Sequence, residues 1–304
     1  MKWQALATAP SQLGESPYWH PQEQMLYWVD IPSRQIHRAN IFTSELQSWA
    51  MPQEPGCIAP AQGGGLVVAL RDGMYRAREW GGALELLHRF GHDTSHMRFN
   101  DGKCDPLGRF WAGTMNERRD SRGAALYSLD ARGGGAPVVR TQVDDAMLAN
   151  GLAWSPDGKT VYWADTVDHN IRTWRCDAEG NVSGAPHLLR QFPPKPDGWE
   201  PGMPGYGGRP DGAAMDTLGK HCAAMYEGAR LLKFSPAGEL LEEIPMPVEC
   251  PTMPCFGGDD MCTLYVTSAR IRRPEAELQA KPQSGCVFFA RVDVPGLPVN
   301  FFQG

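Results

Sequence analysis

Arg98–Phe99–Asn100–Asp101–Gly102–Lys103–Cys104–Asp105–Pro106–Leu107–Gly108–Arg109–Phe110–Trp111–Ala112–Gly113–Thr114–Met115 sets a polar cluster ahead of a Gly-bearing turn and a short apolar strand. The same layout returns in Asn150–Gly151–Leu152–Ala153–Trp154–Ser155–Pro156–Asp157–Gly158–Lys159–Thr160–Val161–Tyr162–Trp163–Ala164–Asp165. Shorter versions stand at Asp211–Gly212–Ala213–Ala214–Met215–Asp216 and Glu15–Ser16–Pro17–Tyr18–Trp19–His20–Pro21. Each places one oxygen-bearing side chain just before the strand signal. Such repetition implies a ring of similar units, each presenting a polar residue at one height.

The apolar strands that follow these turns make the period measurable. They begin at Trp28, Val68, Trp111, Trp163, Ala223 and Tyr265, with successive spacings of 40, 43, 52, 60 and 42 residues. A period of roughly 40–50 residues built from short strands and turns is the mark of a β-propeller blade. Six anchors in 304 residues predict an all-β, six-bladed β-propeller occupying residues 1–304 as one domain. Leu26–Ile31, Leu66–Leu70 and Thr263–Thr267 are aromatic or β-branched runs bounded by turn residues, as short strands should be. The 34 glycines and 26 prolines suit tight turns, and no long apolar stripe of helical period is present. A β-sandwich, or two smaller β domains, would not explain the even spacing. The ring must also close, and Trp3–Gln4–Ala5–Leu6–Ala7 is the candidate to pair with Cys286–Val292 in the last blade, removing an exposed edge.

Composition narrows the functional classes. The net charge of -6, with both signs interspersed, offers no basic stripe for nucleic acid. No apolar run approaches the ~20 residues that span a bilayer, and Met1–Lys2–Trp3–Gln4–Ala5 lacks an apolar signal core. A cytoplasmic protein with no membrane or protein partner is expected. The eight cysteines show neither a Cys-x-x-Cys pair nor a zinc-type spacing, and are read as reduced, buried thiols. The Pro/Gly-rich stretch 191–209 accounts for the longest spacing and is read as a rim over the central pocket.

Four blade tips supply Glu15, Asn100, Asn150 and Asp211, which a propeller would bring together near its axis. Two carboxylates in one confined site repel, and one is driven toward protonation unless a cation intervenes. An all-oxygen set suits a hard divalent ion, and three or four protein ligands leave positions open for water and substrate. Asp157–Gly158 and Ala237–Gly238 read as hairpin turns only. Asp30, Asp101 and Asp165 are further candidates for the polar ring, or else residues that hold blades together through backbone bonds.

The chain resembles the senescence marker protein/gluconolactonase family, which includes regucalcin and bacterial sugar lactonases. The resemblance rests on Leu13–Gly14–Glu15–Ser16–Pro17, Arg98–Phe99–Asn100–Asp101–Gly102–Lys103 with Asp105–Pro106 and Gly108–Arg109, Asn150–Gly151–Leu152–Ala153–Trp154–Ser155–Pro156–Asp157–Gly158, Pro210–Asp211–Gly212, and Phe256–Gly257–Gly258–Asp259 with Leu264–Tyr265–Val266–Thr267. These pieces occur in order over nearly the whole chain. The resemblance implies one divalent metal on the axis, held by Glu15, Asn150 and Asp211, with Ca²⁺ first and Zn²⁺, Mn²⁺, Mg²⁺ or Fe²⁺ as alternatives. It also implies substrate contacts from Arg98 and Asn100, an acidic substrate contact from Glu117, and Asp211 as general base. The implied reaction opens a sugar lactone, either an aldonolactone or a uronate-derived lactone, to the sugar acid. Water attacks the carbonyl carbon, and Asp211, or a hydroxide on the metal, supplies the base. A propeller esterase or phosphotriesterase, and a non-enzymatic calcium-binding regulator, are the competing readings. The stretch 191–209 and the loop Asn116–Glu117–Arg118–Arg119 depart most from the family pattern.

Overall fold

The computed structural model describes residues 1–6, 9–41, 43 and 45–304. Among them the strands form six antiparallel four-stranded sheets, arranged as the blades of a β-propeller. The innermost strands are Gly14–His20, Cys57–Pro60, Met97–Cys104, Ala149–Trp154, Arg209–Met215 and Pro251–Gly257. The anchors read from the sequence fall on the next strand out, as in Met25–Asp30, Leu66–Leu70, Phe110–Asn116 and Thr160–Asp165. Five blades are made of consecutive strands. The sixth is completed by Gln4–Ala5, which pairs with Phe288–Arg291 through Gln4 opposite Phe289 and Ala5 opposite Phe288. The expected closing strand is thus present but short, and Ala7 lies outside the described residues.

The buried apolar residues divide into clusters that each join two neighbouring blades. Phe99, Phe110 and Leu129 pack against Val67, Ala69 and Met74 between blades two and three. Trp111, Trp154, Trp163 and Trp174 meet between blades three and four. Trp19, Trp28 and Tyr265 bring the last blade against the first. Burial therefore acts around the ring rather than within any one sheet, and no blade buries both its faces alone. The eight cysteines are all unpaired, and six of them are buried in these interfaces, as expected of small apolar groups.

Local chemistry sets the inner strands. Pairing with the second strand slips between Glu15 and Tyr18, Phe99 and Gly102, Asn150 and Ala153, Pro210 and Ala213, and Pro251 and Pro254. Each slip is a β-bulge, which adds residues to one strand and re-aims side chains. Gly151 sits in the bulge at φ +65°, a left-handed conformation that glycine adopts without strain. In blades one and four an aspartate of the second strand braces the entry to the bulge. Asp30 accepts from the backbone N–H of Gln12 (2.9 Å) and Leu13 (3.1 Å), and Asp165 from those of Met147 (3.0 Å) and Leu148 (3.3 Å). Asp101 accepts from Leu152 N–H at 3.0 Å, tying blade three to blade four. The turns at Gly158 and Gly238 close hairpins by bonding to Ser155 and Ser235, and take no part in the site.

Two features differ from the sequence reading. A short helix, Glu275–Ala280, interrupts the last blade; none of its residues is buried, so it has no apolar stripe to betray it. The stretch after strand Val182–Gln191 is tied down at the end of the propeller where the inner strands begin, with Tyr206 Oη 2.8 Å from His169 Nε2 and the Trp199 and Tyr206 rings 5.1 Å apart, contacts that composition did not foretell.

Gly102 tests the bulge. A Cβ there would lie 2.4 Å from the Trp111 carbonyl oxygen and 2.5 Å from Cys57 Sγ. Gly102→Ala is expected to destabilise the protein by about 1–3 kcal/mol through overpacking, read as a drop of several degrees in melting temperature. An unchanged melting curve would show that the inner strand can move aside.

Candidate active site

Glu15, Asn100, Asn150 and Asp211 come from four different blades and line one cavity of about 250 Å³ at the end of the channel where the inner strands begin. Arg98 and Glu117 line it too, so all six residues singled out from the sequence meet in one place. Of the stretch 191–209, Arg209 lines this cavity, and the rest lies at the same end of the propeller, where Tyr206 meets His169 and Lys195 pairs with Glu227 beside the lining residues Thr166 and Tyr226. A second cavity, of about 290 Å³, lies where the inner strands end. Trp19, Trp154, Met215 and Phe256 help line it, and no carboxylate does.

A chain of hydrogen bonds orients the amides. Arg98 Nη1 donates to Asn100 Oδ1 (3.0 Å) and to the Phe99 carbonyl (2.8 Å). Asn100 Nδ2 donates to Asn150 Oδ1 and to the Ala149 carbonyl, both at 3.0 Å. Asn150 Nδ2 donates to Thr166 Oγ1 (2.8 Å), which donates to the Pro210 carbonyl (2.7 Å). Asn150 thus spends its donor on Thr166 and keeps an oxygen lone pair for the cavity. Asn100 is placed alike: its oxygen accepts one bond, from Arg98, as that of Asn150 accepts one from Asn100.

The carboxylates have the opposite character. Glu15 and Asp211 are 7 % and 6 % exposed, yet no side-chain hydrogen bond or ion pair reaches either among the described residues. Burial, followed by the charges of Asp211 and Asp101, drives the Glu15 carboxyl well above its usual range. Burial raises Asp211 to about 8, with Asp101 adding to the rise and Arg209, Arg119 and Arg98 opposing it. A buried pair of this kind is costly unless a positive charge lies between its members. Two carboxylate groups and one oriented amide oxygen form a hard, oxygen-only donor set, so the residues fit a divalent cation. No cluster of three His, Cys, Asp or Glu side chains offers a rival centre among the described residues.

Arginines surround the acids. Glu117 bridges Arg71 (2.9 Å) and Arg98 (3.4 Å), and Arg71 also pairs with Glu54 at 3.0 Å. Arg98 is therefore both buried structure and cavity wall. Arg209 lies over the Tyr226 ring, 5.1 Å from its centroid, and pairs with Glu227 at 3.1 Å. Thr166, Arg71, Arg119, Arg209, Tyr226 and Arg272 escaped the sequence reading. Arg209 stands two residues before Asp211 and Thr166 directly follows Asp165, so proximity to a motif could have found both.

A ring of similar blades with an acid pair and an amide at its axis defines a family of axial-site propellers. The chain belongs to the SMP-30/Gluconolactonase/LRE-like family, whose model matches residues 13–270. It is 42% identical over 295 residues to the 6-deoxy-6-sulfogluconolactonase of Pseudomonas putida, covering 97% of this chain and 96% of that one. It is 32% identical to regucalcin of Danio rerio, over 100% of this chain and 99% of the relative. Among solved structures it resembles a calcium-binding protein, regucalcin, from Agrobacterium tumefaciens, with a TM-score of 0.88, 25% identity, and coverage of 98% and 96%. No helix among the described residues is long and apolar enough to cross a membrane.

Thr166→Val keeps the shape of the side chain and removes the partner of Asn150 Nδ2. Affinity for Ca²⁺ or Mn²⁺, read by calorimetry, is expected to fall about 10-fold or more, the usual effect of losing a group that orients a ligand. Unchanged affinity would mean that Asn150 does not hold the ion.

Proposed function

We propose that the protein is a sugar lactonase, opening an aldonolactone or uronate-derived lactone to its sugar acid with one divalent cation, Ca²⁺ first, held by Glu15, Asn150 and Asp211. The observation that carries this reading is the pair of buried carboxylates, with no ion pair to either among the described residues, beside an oriented amide oxygen in the lining of one cavity. The relatives support it: one is named for a gluconolactone bearing a 6-sulfo group, and one solved neighbour is titled a calcium-binding protein.

The cation, when bound, supplies Lewis-acid polarisation of the lactone carbonyl. The remaining work falls to side chains. Asp211 accepts the proton of the attacking water as its oxygen bonds to the carbonyl carbon. The proton then passes to the ring oxygen as the C–O bond breaks, leaving a free hydroxyl and a carboxylic acid, which releases its remaining proton to solvent to become the carboxylate. Arg98 and Asn100 hold the substrate's hydroxyls: Asn100 pins its amide to Asn150, and Glu117 limits the swing of Arg98. Positioning of this kind lowers the entropic barrier. Glu117, at the cavity wall, accepts from a sugar hydroxyl when it yields part of its hold on Arg71. A lining this rich in charge suits a hydroxylated substrate and disfavours the apolar phosphotriesters of the rival esterase reading. Eight free thiols suit a reducing compartment such as the cytoplasm.

The test is a panel of sugar lactones, read by acid release, with protein stripped of metal and reloaded with single ions. Turnover should vanish on stripping and return on reloading. Asp211→Asn should lower kcat by a factor on the order of 10² or more while the melting curve keeps its single transition. Turnover that survives both treatments would remove the cation and Asp211 from the reaction.

A further inference from the structure

The same cavity carries more positive charge than lactone opening requires. Its lining includes four acids, Glu15, Glu54, Glu117 and Asp211, against five arginines, Arg71, Arg98, Arg119, Arg209 and Arg272. This holds although the chain as a whole is acidic, at -6. Glu54 and Glu117 are matched by Arg71 and Arg98. Glu227, behind the wall, is shared by Arg209, Arg273 and Lys195, and Arg273 also holds Glu277. Arg119 and Arg272 are left with no ion pair among the described residues. A divalent cation between Glu15 and Asp211 would neutralise those two acids and leave the surplus intact.

Arg119 and Arg272 also share an unusual backbone. Their φ angles are +56° and +57°, the left-handed region that costs a non-glycine residue about 1 kcal/mol or more. Both stand on exposed loops, where glycine or asparagine would relieve that strain. Arg119, Arg209 and Arg272 line the same cavity, and Arg119 feels the like charges of the other two. Repulsion among arginines at a cavity mouth is relieved by an anion with several oxygens, which can take parallel N–H donors from each planar fork.

Resting on the lactonase reading, we propose that Arg119, Arg209 and Arg272 form a subsite for an oxyanion group, a sulfonate or a phosphate, carried on the substrate at the end remote from the lactone carbonyl. Arg209 marks its inner edge, two residues from Asp211 and stacked on Tyr226. Arg119 and Arg272 form the outer edge. A neutral sugar lactone leaves this subsite unused.

The experiment compares metal-loaded wild type with Arg119→Gln, Arg272→Gln and the double variant. The substrates are glucono-1,5-lactone and its 6-sulfo and 6-phospho counterparts. The wild type should favour an anionic lactone in kcat/KM by about tenfold or more, mostly through KM, as expected of charge-assisted bonds. Added sodium chloride should shrink that preference by screening. The ratio of anionic to neutral kcat/KM should collapse toward one in the double variant, and Arg119→Lys with Arg272→Lys should retain part of it. Whichever of the sulfo and phospho lactones has the larger ratio identifies the anion. Equal handling of charged and neutral lactones by the wild type, or a preference that survives the double variant, overturns the subsite. Calorimetric binding of 6-phosphogluconate, 6-sulfogluconate and gluconate is measured on the same proteins. If no lactone is opened, tighter binding of either charged acid that is lost in the double variant sustains the subsite while the lactonase reading falls; equal binding of all three acids overturns the subsite itself.

Discussion

The slip of register in the inner strands is the constraint on which the site depends. A regular strand sends successive side chains to opposite faces, and would turn one residue of each tip toward the axis and the next into a blade interface. The bulge gives both residues a place. Asn100 faces the cavity while Asp101 reaches across to the Leu152 N–H of the next blade. Blade two shows what happens without it. Cys57–Pro60 pairs evenly with Val67–Ala69 and Leu66, and contributes no ligand. Its tip is Gly56, where a Cβ would stand 2.5 Å from the Phe99 backbone, so that blade yields its share of the axis to the strand carrying Asn100.

The ring divides polar labour unevenly as a result. One arc, through blades three, four and five, holds the hydrogen-bonded amides, each oriented by a residue from a neighbouring blade. The acids Glu15 and Asp211 are left unsatisfied and raised in pKa chiefly by burial. Electrostatic demand is therefore concentrated at one point, while the groups around it are rigid. The two acids thus face the cavity from a frame of oriented amides that leaves them little room to move.

Much of this was legible in the chain itself. The fold followed from strand and turn chemistry repeated at blade spacing, and Glu15, Asn100, Asn150 and Asp211 were visible because they stand at equivalent points of that repeat. Arg119 and Arg272 could not be found that way. They lie on loops between strands, where no period operates, and an isolated arginine in a loop looks like any solvated charge. The Pro/Gly-rich loop was only partly legible for a related reason: composition reports that a segment is irregular, not what it touches, and here Lys195 is drawn to Glu227 and Tyr206 to His169. The helix Glu275–Ala280 was invisible because it buries nothing.

The seam at Gln4–Ala5 and Phe288–Arg291 joins residues from the two ends of the chain. Pairing across nearly the full sequence separation gives the last contact a large loop-closure entropy, and folds dominated by such contacts form slowly. On a ribosome the first blade waits, with one flank uncovered, until the sixth has emerged. Thr252 of that last blade then donates to the Gly14 carbonyl at 2.5 Å, beside Glu15. The end of the inner strand that carries Glu15 is thereby linked to completion of the ring, and the cavity has its full wall only once the last blade is in place.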